Sequence, residues 1–238
     1  VDRGEVEPLC EVSFANDRDV LARIHAIWGL GQLLRKKRVI VGDILPLLKD
    51  TDAAIRRNTI VVLGDGHSQQ AVPYLISALN EKDASKCSSA EKAAAAIALG
   101  RIARHEKKTW SQSVPALLDV LAENHNVDPV LRCAVCSSLS LCATVEQLVQ
   151  CVSDTRQPVR LGAVVALARM YSSRLGVFLR DTDVQVVTEA ARGLYGNGDE
   201  ESVRMLSELA GKPNISNIVR RYAVAASFRR GGLPEAKM

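Results

Sequence analysis

Cys133 and Cys136 are two thiols at the spacing with which a chain can hold a metal ion or run a dithiol–disulfide cycle. The residue after Cys136 is Ser137, where attachment of a c-type haem requires His. Both thiols fall in mid-helix, at places that other parts of the chain fill with Ala or Val, so they read first as small buried hydrophobes. A Cys136–Cys151 disulfide and a metal site stay open as alternatives; Cys10, Cys87 and Cys142 complete the set of six. The four histidines, His25, His67, His105 and His125, form no HExxH motif and no i, i+4 pair suited to zinc. Gly64-Asp65-Gly66 and Gly196-Asn197-Gly198 have the look of phosphate loops. They follow helical segments at equivalent places and read more simply as helix ends. No nucleophile, base and orienting group converge on a known catalytic pattern. The expectation is a chain with no catalytic, cofactor-binding or metal-ligating residue, and with no cofactor.

The elements that carry these residues repeat. Seven segments begin at Asp19, Asp52, Ser88, Asp128, Arg156, Asp183 and Ser216, spaced 27 to 40 residues apart. Six of these seven residues have a short side-chain oxygen that can cap a helix N-terminus. Four residues on stand Arg23, Arg56, Lys92, Arg132, Arg160, Val187 and Arg220. Seven on stand Ala26, Thr59, Ala95, Val135, Ala163, Ala190 and Ala223, and eleven on a Leu in all but the last, which has Ser227. The small residue and the Leu share one helical stripe, which predicts first helices packed side by side. The recurrent base can pair with an aspartate of an adjacent repeat, giving a ladder of Asp19, Arg23, Asp52, Arg56, Asp128, Arg132, Arg160 and Arg220.

After each first helix a shorter amphipathic segment is expected, most clearly from Asp43, Ala71 and Ser113, with Pro46, Pro73 and Pro115 in the first turn. The net charge of the chain is +4, but the first helices total +15 and the second −8. Basic runs such as Arg35–Arg38 sit at helix C-termini, where they complement the dipole. A face lined by second helices would be mildly acidic, which argues against a nucleic-acid cradle. Trp110, in the long turn of the third unit, and the second-helix carboxylates Asp119, Glu123, Glu146 and Glu208 are the expected partner contacts. Trp28 reads as a cap on the open end of the array. No run approaches the roughly 20 apolar residues of a membrane span.

The two-helix unit, its Asp and Arg positions and its xPxLLxxL second helix resemble the HEAT-repeat superfamily over about residues 17–230. The resemblance implies an all-α fold, a right-handed α-α superhelix of about seven helical pairs. Residues 1–18 are a lead-in, and 19–238 the repeat domain with its last unit truncated. The missing Met and missing final helix suggest a piece of a longer protein. HEAT-like iron hydroxylases of the deoxyhypusine type carry several His-Glu pairs, whereas this chain has His105-Glu106 alone. The phrases Ala22–Leu34, Phe178–Leu194 and Val219–Gly232 look like the HEAT segment of large planctomycete and verrucomicrobial proteins. There it joins a dehydrogenase-like propeller to a haem domain, which implies a periplasmic or cell-envelope location. The expected function is a non-enzymatic scaffold binding a protein or a flanking domain. The alternatives are a nucleic-acid-binding solenoid and a HEAT-like lyase acting on a tetrapyrrole chromophore.

Overall fold

The computed structural model describes residues 4, 6–106, 111–213 and 215–229. Helices α2 (Val20–Arg35), α3 (Ala53–Asp65), α5 (Ser89–Glu106), α7 (Pro129–Cys142), α9 (Gln157–Arg169), α10 (Val184–Asn197) and α12 (Asn217–Arg229) each start one residue after a repeat-start residue. Asp19, Asp52 and Asp183 accept backbone N–H groups from the first turn of α2, α3 and α10. Asp128 does the same for Val130 and Leu131 at 2.8 and 3.0 Å. A carboxylate at an N-cap satisfies orphan donors and complements the helix dipole, which is why these residues start helices.

The predicted stripe is the core. Thr59, Ala95, Val135, Ala163, Ala190 and Ala223 are fully buried, as are Leu30, Leu63, Leu99, Leu139, Leu167 and Leu194. Small residues let neighbouring first helices approach closely. At Gly64 of α3 a β-carbon would lie 2.6 Å from the Ala98 β-carbon of α5 and 2.8 Å from its Cα. Contacts divide the chain into two compact units, one of Val1–Val120 and Val127–Cys142, the other of Leu121–Asn126 and Ala143–Met238. In the first, α2, α3, α5 and α7 pack in succession; in the second, α9, α10 and α12 do so. The lead-in contains α1 (Val6–Phe14), which packs on α2, with Leu9 against Gly29. Among the described residues there is no strand, and the fold is an all-α solenoid.

The remaining helices are α4 (Val72–Asn80), α6 (Val114–Asn124), α8 (Val145–Gln150) and α11 (Glu200–Ala210). Two of the expected second helices are 3-10 segments instead, Leu45–Lys49 and Ser173–Arg180. Their linking stretches are short, and a 3-10 turn rises further per residue, so fewer residues bridge the same gap. α4 packs on α5, and α11 on α12, so each of these second helices leans on the following first helix.

Three first helices, α2, α3 and α9, end alike. Lys37, His67 and Tyr171 are left-handed, and the next residue's N–H reaches back to Leu33, Leu63 and Leu167 respectively. That six-to-one bond closes a Schellman motif. Gly198 takes the left-handed position after α10. In Gly64-Asp65-Gly66 the left-handed residue is His67, and Gly66 is small because a β-carbon there would collide with Leu34.

Candidate functional site

The site is built around the recurrent arginine of α3. Arg56 Nε donates to Glu91 Oε1 at 2.7 Å and Nη2 to Glu91 Oε2 at 3.3 Å, a two-pronged pair with the next first helix. Its Nη1 donates to the backbone carbonyls of Asp50 and Thr51 at 2.8 and 3.0 Å, closing the loop that leads into its own helix. Glu91 also accepts the Ser88 backbone N–H at 2.9 Å and its hydroxyl at 2.7 Å, while the Glu91 N–H donates to Ser88 Oγ. This is a capping box at the start of α5. Burial alone would raise the Glu91 pKa. The Arg56 pair and the Ser88 bonds outweigh it and hold the carboxyl below its ordinary range, while Glu91 in turn raises Arg56.

The pattern recurs. Arg160 of α9 donates through Nε and Nη2 to Asp181 at 2.7 and 3.0 Å, and through Nη1 to the carbonyls of Asp154 and Thr155 at 2.9 and 3.3 Å. Arg23 of α2 is buried, donates Nε to the Ser13 carbonyl at 2.9 Å and pairs with Asp50. The carboxylates that receive these arginines are therefore not the N-cap residues. Asp50 and Asp181 stand two residues before the caps, and each also accepts the backbone N–H of the cap residue, Asp52 at 2.9 Å and Asp183 at 2.8 Å. The signal was present as Asp50-Thr51-Asp52, Asp154-Thr155-Arg156 and Asp181-Thr182-Asp183, a triplet at the same register each time. Elsewhere along the register, Asp128 accepts the Ser89 hydroxyl at 2.5 Å, Arg132 is half-buried, and Arg220 donates to the Lys212 carbonyl at 3.4 Å.

Above the Arg56–Glu91 pair lies a cleft of about 570 Å³, between Leu45–Lys49 and α4. Leu45, Leu48, Ile60, Tyr74, Leu75 and Ala78 make its apolar wall, and Tyr74 is 46% exposed. Lys49, Lys86 and Glu81 stand at its edge. The buried charges beneath are mutually satisfied, Asp50 by Arg23 and Glu91 by Arg56. Cys87 also lines the cleft; burial, then Glu91, pushes its thiol up to about 11, which leaves little thiolate at neutral pH.

The carboxylates singled out from sequence are scattered. Asp119 and Glu123 are exposed on α6, and Glu146 is exposed in the first turn of α8. Glu208 is exposed on α11, pairs with Arg204 at 3.2 Å and lines a cleft against Ser173–Arg180. Trp110 lies outside the described residues. Trp28 does not cap the end of the first unit, which α1 covers. It is half-exposed, stacked on His25, and donates Nε1–H to Asn58 of α3 at 2.9 Å. No disulfide links any two of the six cysteines, and among the described residues no three His, Cys, Asp or Glu side chains gather as a metal site. No described helix is long and apolar enough to cross a membrane.

A longer first helix, a shorter second segment leaning on the next first helix, and at Arg23, Arg56 and Arg160 an arginine binding one repeat to its successor describe one kind of repeat. Residues 6–91 match the family model of HEAT repeats. The HEAT-repeat match takes in the whole Tyr74 cleft. No curated protein matches the sequence. Among solved structures, the CpcE–CpcF complex of phycocyanin lyase from Nostoc sp. is similar with a TM-score of 0.50 and 19% identity, covering 97% of this chain and 90% of that one. Human deoxyhypusine hydroxylase follows at 0.39 and 19%, covering 93% and 83%. A designed armadillo repeat protein stands at 0.36 and 16%, covering 93% and 98%. Identities this low speak to the fold alone.

Proposed function

We propose that this chain is a non-catalytic HEAT-repeat scaffold that holds a protein segment or a flanking domain against its second helices. The observation that carries this reading is the Tyr74 cleft. It has an exposed aromatic and an apolar wall over charges that already satisfy one another, so it is made for contact and not for proton or group transfer. HEAT repeats commonly serve protein interaction, and the match over 6–91 supports the same role. Asp119, Glu123, Glu146 and Glu208, each exposed, remain proposed as polar partner contacts, and Arg23, Arg56 and Arg160 as fixers of register between repeats.

A photo-crosslinking amino acid at Tyr74, compared with one at the exposed Leu21 of α2, tests the reading in extract of the source organism. A defined polypeptide captured from position 74, and lost on Leu48→Glu, supports it. Capture from position 21 alone overturns it.

A lyase reading of the same cleft would need a deep pocket with convergent polar groups, whereas the charges beneath Tyr74 already satisfy one another. A nucleic-acid reading would draw on the basic first helices, and salt-sensitive retention of DNA is its test. The narrower resemblance would make the scaffold a spacer between a propeller and a haem domain in the cell envelope. Capture of such a domain from position 74 would support it.

A further inference from the structure

The clefts of the second unit mix apolar and charged side chains, and their charges do not cancel. Ser173–Arg180 is flanked by one cleft of about 260 Å³ and another of about 390 Å³, and Val177 and Arg180 line both. Three of the four carboxylates around them already have a cation: Asp154 has Arg156 at 2.8 Å, Asp181 has Arg160 at 2.7 Å, and Glu208 has Arg204 at 3.2 Å. The fourth, Glu201, accepts the Ser173 hydroxyl at 3.5 Å. Arg174, Arg180 and Lys212 are exposed and have no ion-pair partner among the described residues. Three cations thus face one uncompensated carboxylate.

Beneath them the larger cleft is floored by Val177, Leu179, Met205 and Leu209. Gly176 leaves room for the Met205 thioether to lie directly on the backbone, where a β-carbon would collide with it. A methionine floor adapts to differently shaped apolar side chains. Single-stranded nucleic acid is held by aromatic platforms for its bases beside the cations, and neither cleft is lined by an aromatic residue.

We propose that the two clefts form one docking track for an acidic peptide segment of a partner protein. Apolar side chains of the segment enter the clefts on either side of Ser173–Arg180, and its Asp or Glu residues meet Arg174, Arg180 and Lys212. This rests on the reading of the second-helix face as the partner face, but at a site separate from Tyr74. It also reverses the local expectation from sequence. The second helices are acidic in sum, yet the charges left uncompensated at this track are basic, and charge complementarity selects partners chiefly through such residual charges.

The test uses fluorescence anisotropy on the full chain with two labelled peptides, GSLEEFLEELGS and GSLKKFLKKLGS, and with a thymidine oligonucleotide. The glutamate peptide is expected to bind at least about tenfold more tightly than the lysine peptide. Arg180→Glu should reduce its affinity about tenfold, with the fold checked by circular dichroism, since Arg180 is exposed. Val177→Asn should weaken binding while leaving its salt dependence in place. Equal binding of both peptides, no glutamate-peptide binding up to millimolar concentration, or indifference to Arg180→Glu would overturn the proposal. So would oligonucleotide binding that needs Arg180 but not Val177, because the cations would then serve phosphate. The two sites fail separately: equal peptide binding removes this track with Tyr74 crosslinking untouched, and lost crosslinking with selective peptide binding removes only the Tyr74 cleft.

Discussion

Arg56 and Glu91 are 35 residues apart in sequence, yet the Arg56 guanidinium spans both Glu91 oxygens and two carbonyls of its own leading loop. One side chain therefore fixes the entry to α3 and the spacing from α3 to α5. With Glu91 almost wholly buried, the pair works as a register pin, and removing either half leaves the other charge without its partner.

Breaking this pair should be much worse than replacing it. Arg56→Met or Glu91→Leu alone is expected to cost about 3 kcal/mol, and the double substitution markedly less than the two together. Urea unfolding of the four proteins measures this. Additive losses would mean the two side chains act independently.

Acid should unfold the chain through these same carboxylates. Glu91 and Asp181 are both held below their ordinary pKa. For each, burial pushes the other way and is outweighed, by Arg56 and Ser88 at Glu91 and by Arg160 and the Asp183 N–H at Asp181. A depressed folded-state pKa gives stability that is present above the unfolded value, about 4, and lost as pH falls through the folded value. Thermal midpoints should therefore drop below about pH 4. In Arg160→Met that acid limb should flatten, since Asp181 then loses its main source of depression.

Close approach of α3 and α5 depends on Gly64. Gly64→Ala would press a methyl onto Ala98, including its backbone Cα, and is expected to cost about 1–3 kcal/mol. Adding Ala98→Gly should recover part of that loss by removing one of the two clashing methyls. Denaturant midpoints of the single and double variants decide it. A neutral Gly64→Ala would mean that the helices can separate freely.

Thiol labelling should follow exposure. Cys133 is exposed, while Cys87, Cys136, Cys142 and Cys151 are buried. Burial pushes both Cys87 and Cys142 up to about 11, with Glu91 adding to the effect at Cys87. Iodoacetamide at neutral pH should modify Cys133 first and leave Cys87 and Cys142 intact until the chain unfolds, as read by peptide mass mapping. Early modification of Cys87 would show an activated thiol and revive an enzymatic reading of the Tyr74 cleft.

What the sequence determined by itself was local. A small residue seven places after each cap and a Leu at eleven define a stripe, because helical periodicity is set by covalent geometry within one segment. Caps such as Asp19, Asp52 and Asp183 were legible for the same reason, since donor and acceptor lie two or three residues apart. The tertiary structure decided what depends on stacking. The arginine at the fourth position was visible, but its partner was not. Asp50, Glu91 and Asp181 lie 21 to 35 residues from the arginines they receive, and only the packing of one repeat on the next selects them over the caps nearby. Charge also depends on stacking. A sum over second helices counts every ionised group equally. In the folded chain Asp154, Asp181 and Glu208 pair with Arg156, Arg160 and Arg204, while Arg174, Arg180 and Lys212 line the same clefts with no ion-pair partner among the described residues.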